Sequence, residues 1–418
     1  MALLKGWRSP QHRDGMALVL SSGLTSAIGL LYWVVAARMF DHATVGLNSA
    51  VISTMMLLGT ASHLNLGNAM LRFVPVAGSW ARPLIRRCNA AAITAGVLFG
   101  LVFAAGAPLW APDLVAAVGH PALFVFFVVS TPVWTLFVVQ DSTLAAIKRA
   151  TAVPVKNFVF SVLKIVLLGV AALMATQSGI AISWVVGTVV CVVGVSLWLH
   201  RNAPPGPERG TQVEPPVTMR DVAGFIRYDY AGNVCWQFAT FGLPLVVLAV
   251  AGPEANATYN IAWQIALALY LIINGMGQSL VAHLSADPST LDSAVRSMIV
   301  KAMTLLVPAV IVIAPGAYLI LWLFGQEYAD SGALLLALLA LSAIPNVVTQ
   351  TTVWVARVQR RGAVQVALPA VLAALVVIGT VVLLPVMGVT GVGVAWLGAQ
   401  TLVAGFVLVN RAVLRRRR

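Results

Sequence analysis

Twelve apolar stretches, most of them about twenty residues long and joined by short polar connections, leave almost no chain from which a water-soluble domain could be built. They run approximately over residues 16–37, 43–66, 89–110, 121–143, 157–176, 180–199, 223–250, 257–281, 299–324, 332–354, 363–386 and 390–410. Roughly 20 apolar residues in a helix cross the hydrocarbon core of a bilayer, so each stretch predicts one membrane-spanning helix. The first follows a basic head containing Lys5, Arg8 and Arg13, but its 22 residues exceed the apolar part of a secretory leader, which predicts an uncleaved span. Only 9 % of the residues are charged, against about a quarter in a soluble domain, so a soluble enzyme is excluded. The longest polar stretch, 200–221, is too short to fold by itself.

The formal net charge of +13 would suit nucleic-acid binding, but the placement of the basic residues gives them another meaning. Alternate connections collect nearly all of them: Arg72 with Arg82, Arg86 and Arg87; Lys148, Arg149 and Lys156; Arg201, Arg209, Arg220 and Arg227; Arg296 and Lys301; Arg357, Arg360 and Arg361; and both termini. The opposite connections hold Arg38 alone beside Asp41, Asp113, Glu254, Glu327 and Asp330. This is the asymmetry of a multi-pass protein of the cell membrane with both ends in the cytoplasm, and it argues against a nucleic-acid partner. Cys88, Cys191 and Cys235 lie far apart, the six histidines form no ligand-spaced cluster, and no GxxxxGK[ST] loop occurs. No metal, no cofactor and no catalytic residue is therefore assigned.

Most connections on the acidic side are short, which makes successive helices antiparallel neighbours. The proline-rich link 200–222 sits at the middle of the chain and divides it into a first lobe, 1–199, and a second, 223–418. The halves repeat. Lys148-Arg149 recurs as Arg360-Arg361, and Gly179-Ile180-Ala181-Ile182-Ser183-Trp184 recurs as Gly391-Val392-Gly393-Val394-Ala395-Trp396, both at a spacing of 212 residues. Six spans per half is an even number, so the repeats are parallel. The expected fold is an all-α polytopic membrane protein of twelve transmembrane helices, two six-helix repeats around a central cavity that opens to either side in turn.

Ala37-Arg38-Met39-Phe40 through Val45-Gly46, Leu66-Gly67-Asn68-Ala69-Met70-Leu71-Arg72-Phe73, Asp229-Tyr230, and Ala257-Thr258-Tyr259-Asn260-Ile261-Ala262, with the two glycine-initiated hairpins, form a set of short stretches. Together they resemble the multidrug/oligosaccharidyl-lipid/polysaccharide exporter (MOP) superfamily, in particular its polysaccharide-transport branch. The resemblance implies a flippase that moves an undecaprenyl-pyrophosphate-linked oligosaccharide to the outer leaflet, with a polysaccharide polymerase and glycosyltransferases as partners. Such a task needs a hydrated cationic cavity and an apolar portal, and breaks no bond. The nearest alternative is a MATE-type drug or cation antiporter. Members of that kind commonly carry an acid in the first span, and 16–37 contains none. The lipid II flippase branch usually has two further spans. A membrane glycosyltransferase or polymerase would need acid/base groups in sizeable outward loops, and these loops are short.

The resemblance places the cavity among spans one, two, seven and eight. Candidate substrate-binding residues there are Asn65, Arg72, Arg227, Asp229, Gln237, Asn274 and Gln278. Arg72 can grip phosphate through paired guanidinium donors or simply reach the headgroups. Asn274 and Gln278, four residues apart, share one helix face. Arg227 and Asp229 are two apart and need separate partners. Deep in the first lobe, Asp141 and Lys164 on adjacent spans are expected to neutralise one another as an ion pair.

Overall fold

A backbone surrounded by lipid has no water to satisfy its amides, so an apolar chain of this kind must close its hydrogen bonds within helices. The computed structural model describes residues 28–202, 230–284, 291–359 and 361–416, without the side chains of residues 76, 79, 278, 279, 281–284 and 411–416. Among the described residues every regular element is a helix. In chain order they are α1 (Ile28–Met39), α2 (His42–Ser62), α3 (Leu66–Phe73), α4 (Ala81–Trp110), α5 (Pro112–Val118), α6 (His120–Ala146), α7 (Ala152–Leu173) and α8 (Gly179–Asn202). The helical run 230–284 contains a π-turn at Phe238–Gly242 and breaks at Gly252 into α9 (230–251) and α10 (253–284). Then follow α11 (Leu291–Trp322), α12 (Gln326–Val358), α13 (Gly362–Met387) and α14 (Thr390–Arg416).

Among the described residues ten helical stretches are long and apolar enough to cross a membrane, taking 230–277 as one. The expected seventh and eighth spans fall on either side of the Gly252 break, and the described end of the expected first span is α1. Gly252 has φ 82° and ψ −179°, a conformation that a side chain opposes. Several elements differ from the sequence expectation; α11 and α12, for instance, start eight and six residues before their apolar stretches. The second span ends at Ser62 because Leu64 and Asn65 turn left-handed, and α3 starts anew at Leu66. Helix α4 begins at Ala81, two turns before its apolar stretch, and the short α5 was not anticipated.

The chain clusters into two units. The first comprises described residues 28–39, 58–106 and 121–202, the second 40–57, 107–120 and those from 230 onward. In lipid, helices associate through close packing rather than water exclusion, so small residues mark the contacts. In the first unit Gly96 and Gly100 of α4 lie against the backbone of Pro132 and Phe127 of α6, where a methyl group would collide. In the second unit Gly46 of α2 meets the Pro253 carbonyl at the start of α10 just as closely, and Asn256 donates to the Gly46 carbonyl at 2.8 Å. Helix α12 forms the centre of the second unit, packed by α10, α11 and α14.

Candidate functional site

Charge inside the first unit is concentrated on α7. Lys164 is 3 % exposed, and its ammonium faces aromatic rings: Trp184 at 3.9 Å, Tyr32 at 4.6 Å and Phe160 at 5.0 Å. The rings are held in place. Tyr32 donates its hydroxyl to the Ile180 carbonyl at 2.8 Å, lies 3.1 Å from the Ser183 hydroxyl, and stands edge-on to Trp184. Ring faces carry negative potential, so such a set holds a desolvated ammonium by about 2 kcal/mol.

The expected ion pair between Asp141 and Lys164 does not form. Asp141 meets Lys156 instead, at 2.5 Å, and Lys156 also donates to the Phe137 carbonyl at 2.7 Å. Lys156 and Lys164 are eight residues apart on one helix, so their depth relative to α6 decides which of them reaches the carboxylate. That depth comes from packing. Lys156 was read from sequence as a topology signal, whereas in the structure it is 5 % exposed. Trp184 belonged to the repeated hairpin motif, which was the one available sign of an aromatic set.

The other candidates separate. Asn65 is buried in a left-handed conformation (φ 55°), accepts the Asn68 side chain at 3.3 Å, and donates its backbone N–H to His63 Nδ1 at 3.0 Å. It shapes the bend between α2 and α3, a role that asparagine fills with little strain. Burial pushes the His63 imidazole down to about 4. Arg72 is exposed in the last turn of α3, with its guanidinium 5.5 Å from the Phe73 ring. Gln237 is half-buried immediately before the π-turn of α9, a geometry that recurs at functional sites. Asn274 donates to the Tyr270 carbonyl of its own helix at 3.1 Å. Arg227 and Asp229 lie outside the described residues, as does the side chain of Gln278.

Among the described residues of the second unit the buried polar side chains are uncharged. Thr349 donates to Gln400 at 2.9 Å, Gln400 donates to Asn346 at 3.2 Å, and Tyr270 pairs with Ser342 at 2.7 Å. Sequence reasoning missed this network because isolated amides and hydroxyls in apolar spans carry no spacing signal. At the acidic end, His42 Nδ1 lies 3.3 Å from Glu327 and its Nε2 3.1 Å from the Thr258 hydroxyl. Asp41 precedes α2, where hydrogen bonds from Thr44 hold its carboxyl below the usual value.

No protein-family model and no curated protein sequence matches the chain. Solved structures do. An inward-facing multidrug-resistance MATE transporter of the MOP superfamily superposes with a TM-score of 0.73 at 16 % identity, covering 94 % of this chain and 96 % of that one. The lipid II flippase MurJ, in an inward closed conformation, gives 0.73 at 11 % identity over 95 % and 87 % of the two chains. A Vibrio cholerae MATE transporter, VcmN, gives 0.62 at 14 % identity over 96 % and 94 %. This multi-pass membrane protein therefore has the fold shared by MATE transporters and the MurJ flippase, which is the fold expected from its sequence.

Proposed function

We propose that the protein is a flippase that carries a lipid-linked oligosaccharide, of the undecaprenyl-pyrophosphate class, across the cytoplasmic membrane by alternating access. Both termini then lie in the cytoplasm, and glycosyltransferases and a polymerase act before and after it. The fold is compatible with this cargo and with a drug, since its structural neighbours include both a lipid flippase and multidrug transporters.

The observation that carries the choice is the sign of the interior charge. Within the described spans of the first unit, the carboxylate Asp141 is matched by Lys156, while Lys164 adds a buried ammonium set among rings. A surplus of buried positive charge favours an anionic cargo such as a pyrophosphate and opposes a cationic drug. No covalent step is required, so the proposed role is transport without catalysis.

The test is reconstitution of the full chain in liposomes with a fluorescent lipid-linked oligosaccharide, its leaflet read by quenching from outside. Time-dependent transfer that falls roughly tenfold with Lys164→Met supports the reading. Export of a cationic dye with the oligosaccharide left in its starting leaflet would establish the antiporter instead.

A further inference from the structure

Helices α4 and α8 of the first unit enclose a groove of about 800 Å³ that the transport reading does not use. Its polar wall is cationic: Arg82, Arg86 and Arg87 from the first two turns of α4, and His200 from the last turn of α8. The first turn of α4 has no acidic residue, so three guanidinium groups stand at the helix end where the backbone dipole is already positive. Like charges gathered in this way are stabilised by an anion between them.

The groove's depth in the bilayer narrows the ligand further. The apolar stretch of α4 starts near residue 89 and that of α8 ends near 199, so the groove straddles the level where hydrocarbon gives way to headgroups. Ile85, Ala90 and Leu199 add apolar walls beside the arginines. A molecule with a phosphate at one end and hydrocarbon at the other matches both features, and guanidinium forks match phosphate oxygens.

The second unit supplies a comparison. At the corresponding ends of α11 and α14, together with α12 and α13, lies a groove of about 460 Å³ whose charged residues are Asp292 and Arg361. Among its described lining residues there is one charge of each sign. We propose that the α4/α8 groove binds the phosphate headgroup of an anionic membrane phospholipid. This inference is independent of the cargo proposed above.

The experiment is native mass spectrometry of the full chain released from micelles containing dioleoyl phosphatidylglycerol or dioleoyl phosphatidylcholine. Retention of phosphatidylglycerol over phosphatidylcholine is expected, reduced roughly tenfold or more in Arg86→Gln/Arg87→Gln and unchanged in Arg361→Gln. Both arginines are exposed, and the charge-conserving Arg86→Lys/Arg87→Lys variant, which retains most of the binding, separates loss of the site from loss of the fold. Equal retention of the two lipids, or phosphatidylglycerol binding untouched by the double glutamine variant, would overturn the proposal. Displacement of phosphatidylglycerol by millimolar inorganic phosphate would also overturn it, by identifying a site for free phosphate.

Discussion

Trp184 and Trp396 stand 212 residues apart, each in the helix that closes its half, yet the surroundings of the two rings differ. Around Trp184 the rings of Tyr32 and Phe160 face the ammonium of Lys164. Trp396 stacks on Trp263 at 4.6 Å and meets Trp236 and Tyr270, and the position matching Lys164 is the fully buried Val376. The same holds for the neighbouring charges: Asp141 corresponds to Val353 and Lys156 to Leu368. One half thus keeps three ionisable groups at places where the other keeps aliphatic ones. A helix pair of this shape can be closed by packing alone, so the charges of the first half are not needed for the architecture. Costly groups that the architecture does not require are candidates for function.

The largest expected effect comes from imposing the first half's solution on the second. Val376→Lys places an ammonium at a fully buried aliphatic position and should destabilise the protein by about 3 kcal/mol or more, seen as a fall in detergent melting temperature or loss of folded protein. Next is Asp141→Ala, which strands the Lys156 charge and should cost about 3 kcal/mol. The double change Asp141→Val/Lys156→Leu, which installs the residues of the second half, should recover to within about 1 kcal/mol of the parent. If the double variant is as unstable as the single one, the two halves are not interchangeable at this place.

Lys164→Met should leave the melting temperature within about 1 kcal/mol equivalent of the parent, because loss of the ring contacts is offset by removal of a buried charge. Its expected signature is a fall in flipping of roughly tenfold, and normal flipping would return Lys164 to a structural role. In the second half, Gln400→Leu removes both bonds of the neutral network and should cost about 1 kcal/mol without a change in pH dependence.

The smallest effect concerns His63. Burial pushes its imidazole down to about 4, while in the unfolded chain it titrates near 6.5. Between these values the unfolded state takes up a proton that the folded state refuses, so stability falls as pH drops from about 6.5 toward 4. The slope should be of the order of 1 kcal/mol across this window, since the ring is partly exposed, and a melting series on His63→Gln should lose it.

Much of this was legible in the residues themselves. The apolar stretches at 121–143, 180–199 and 363–386 became α6, α8 and α13 with ends shifted by only a few residues, because lipid permits few alternatives to a helix. Where helices outran their apolar cores the sequence was a poorer guide. Helix α4 continues through Arg82, Arg86 and Arg87, since helical hydrogen bonding does not stop at the membrane surface while hydropathy does. Asn65 looked like a cavity amide and proved to hold a left-handed bend, a role decided by the path of the backbone. Asp141 was correctly singled out as needing a cation, but its partner was misassigned by two helical turns.

Composition and periodicity alone determined the solvent, the helical class and the approximate spans, because each depends on a residue's transfer between water and lipid or on its spacing along one chain. Only the tertiary structure decided which charges meet, which rings surround Lys164 and where the arginines of α4 gather beside α8. Those outcomes depend on the relative depth and rotation of neighbouring helices, and a shift of one or two turns between helices changes them without altering a single residue.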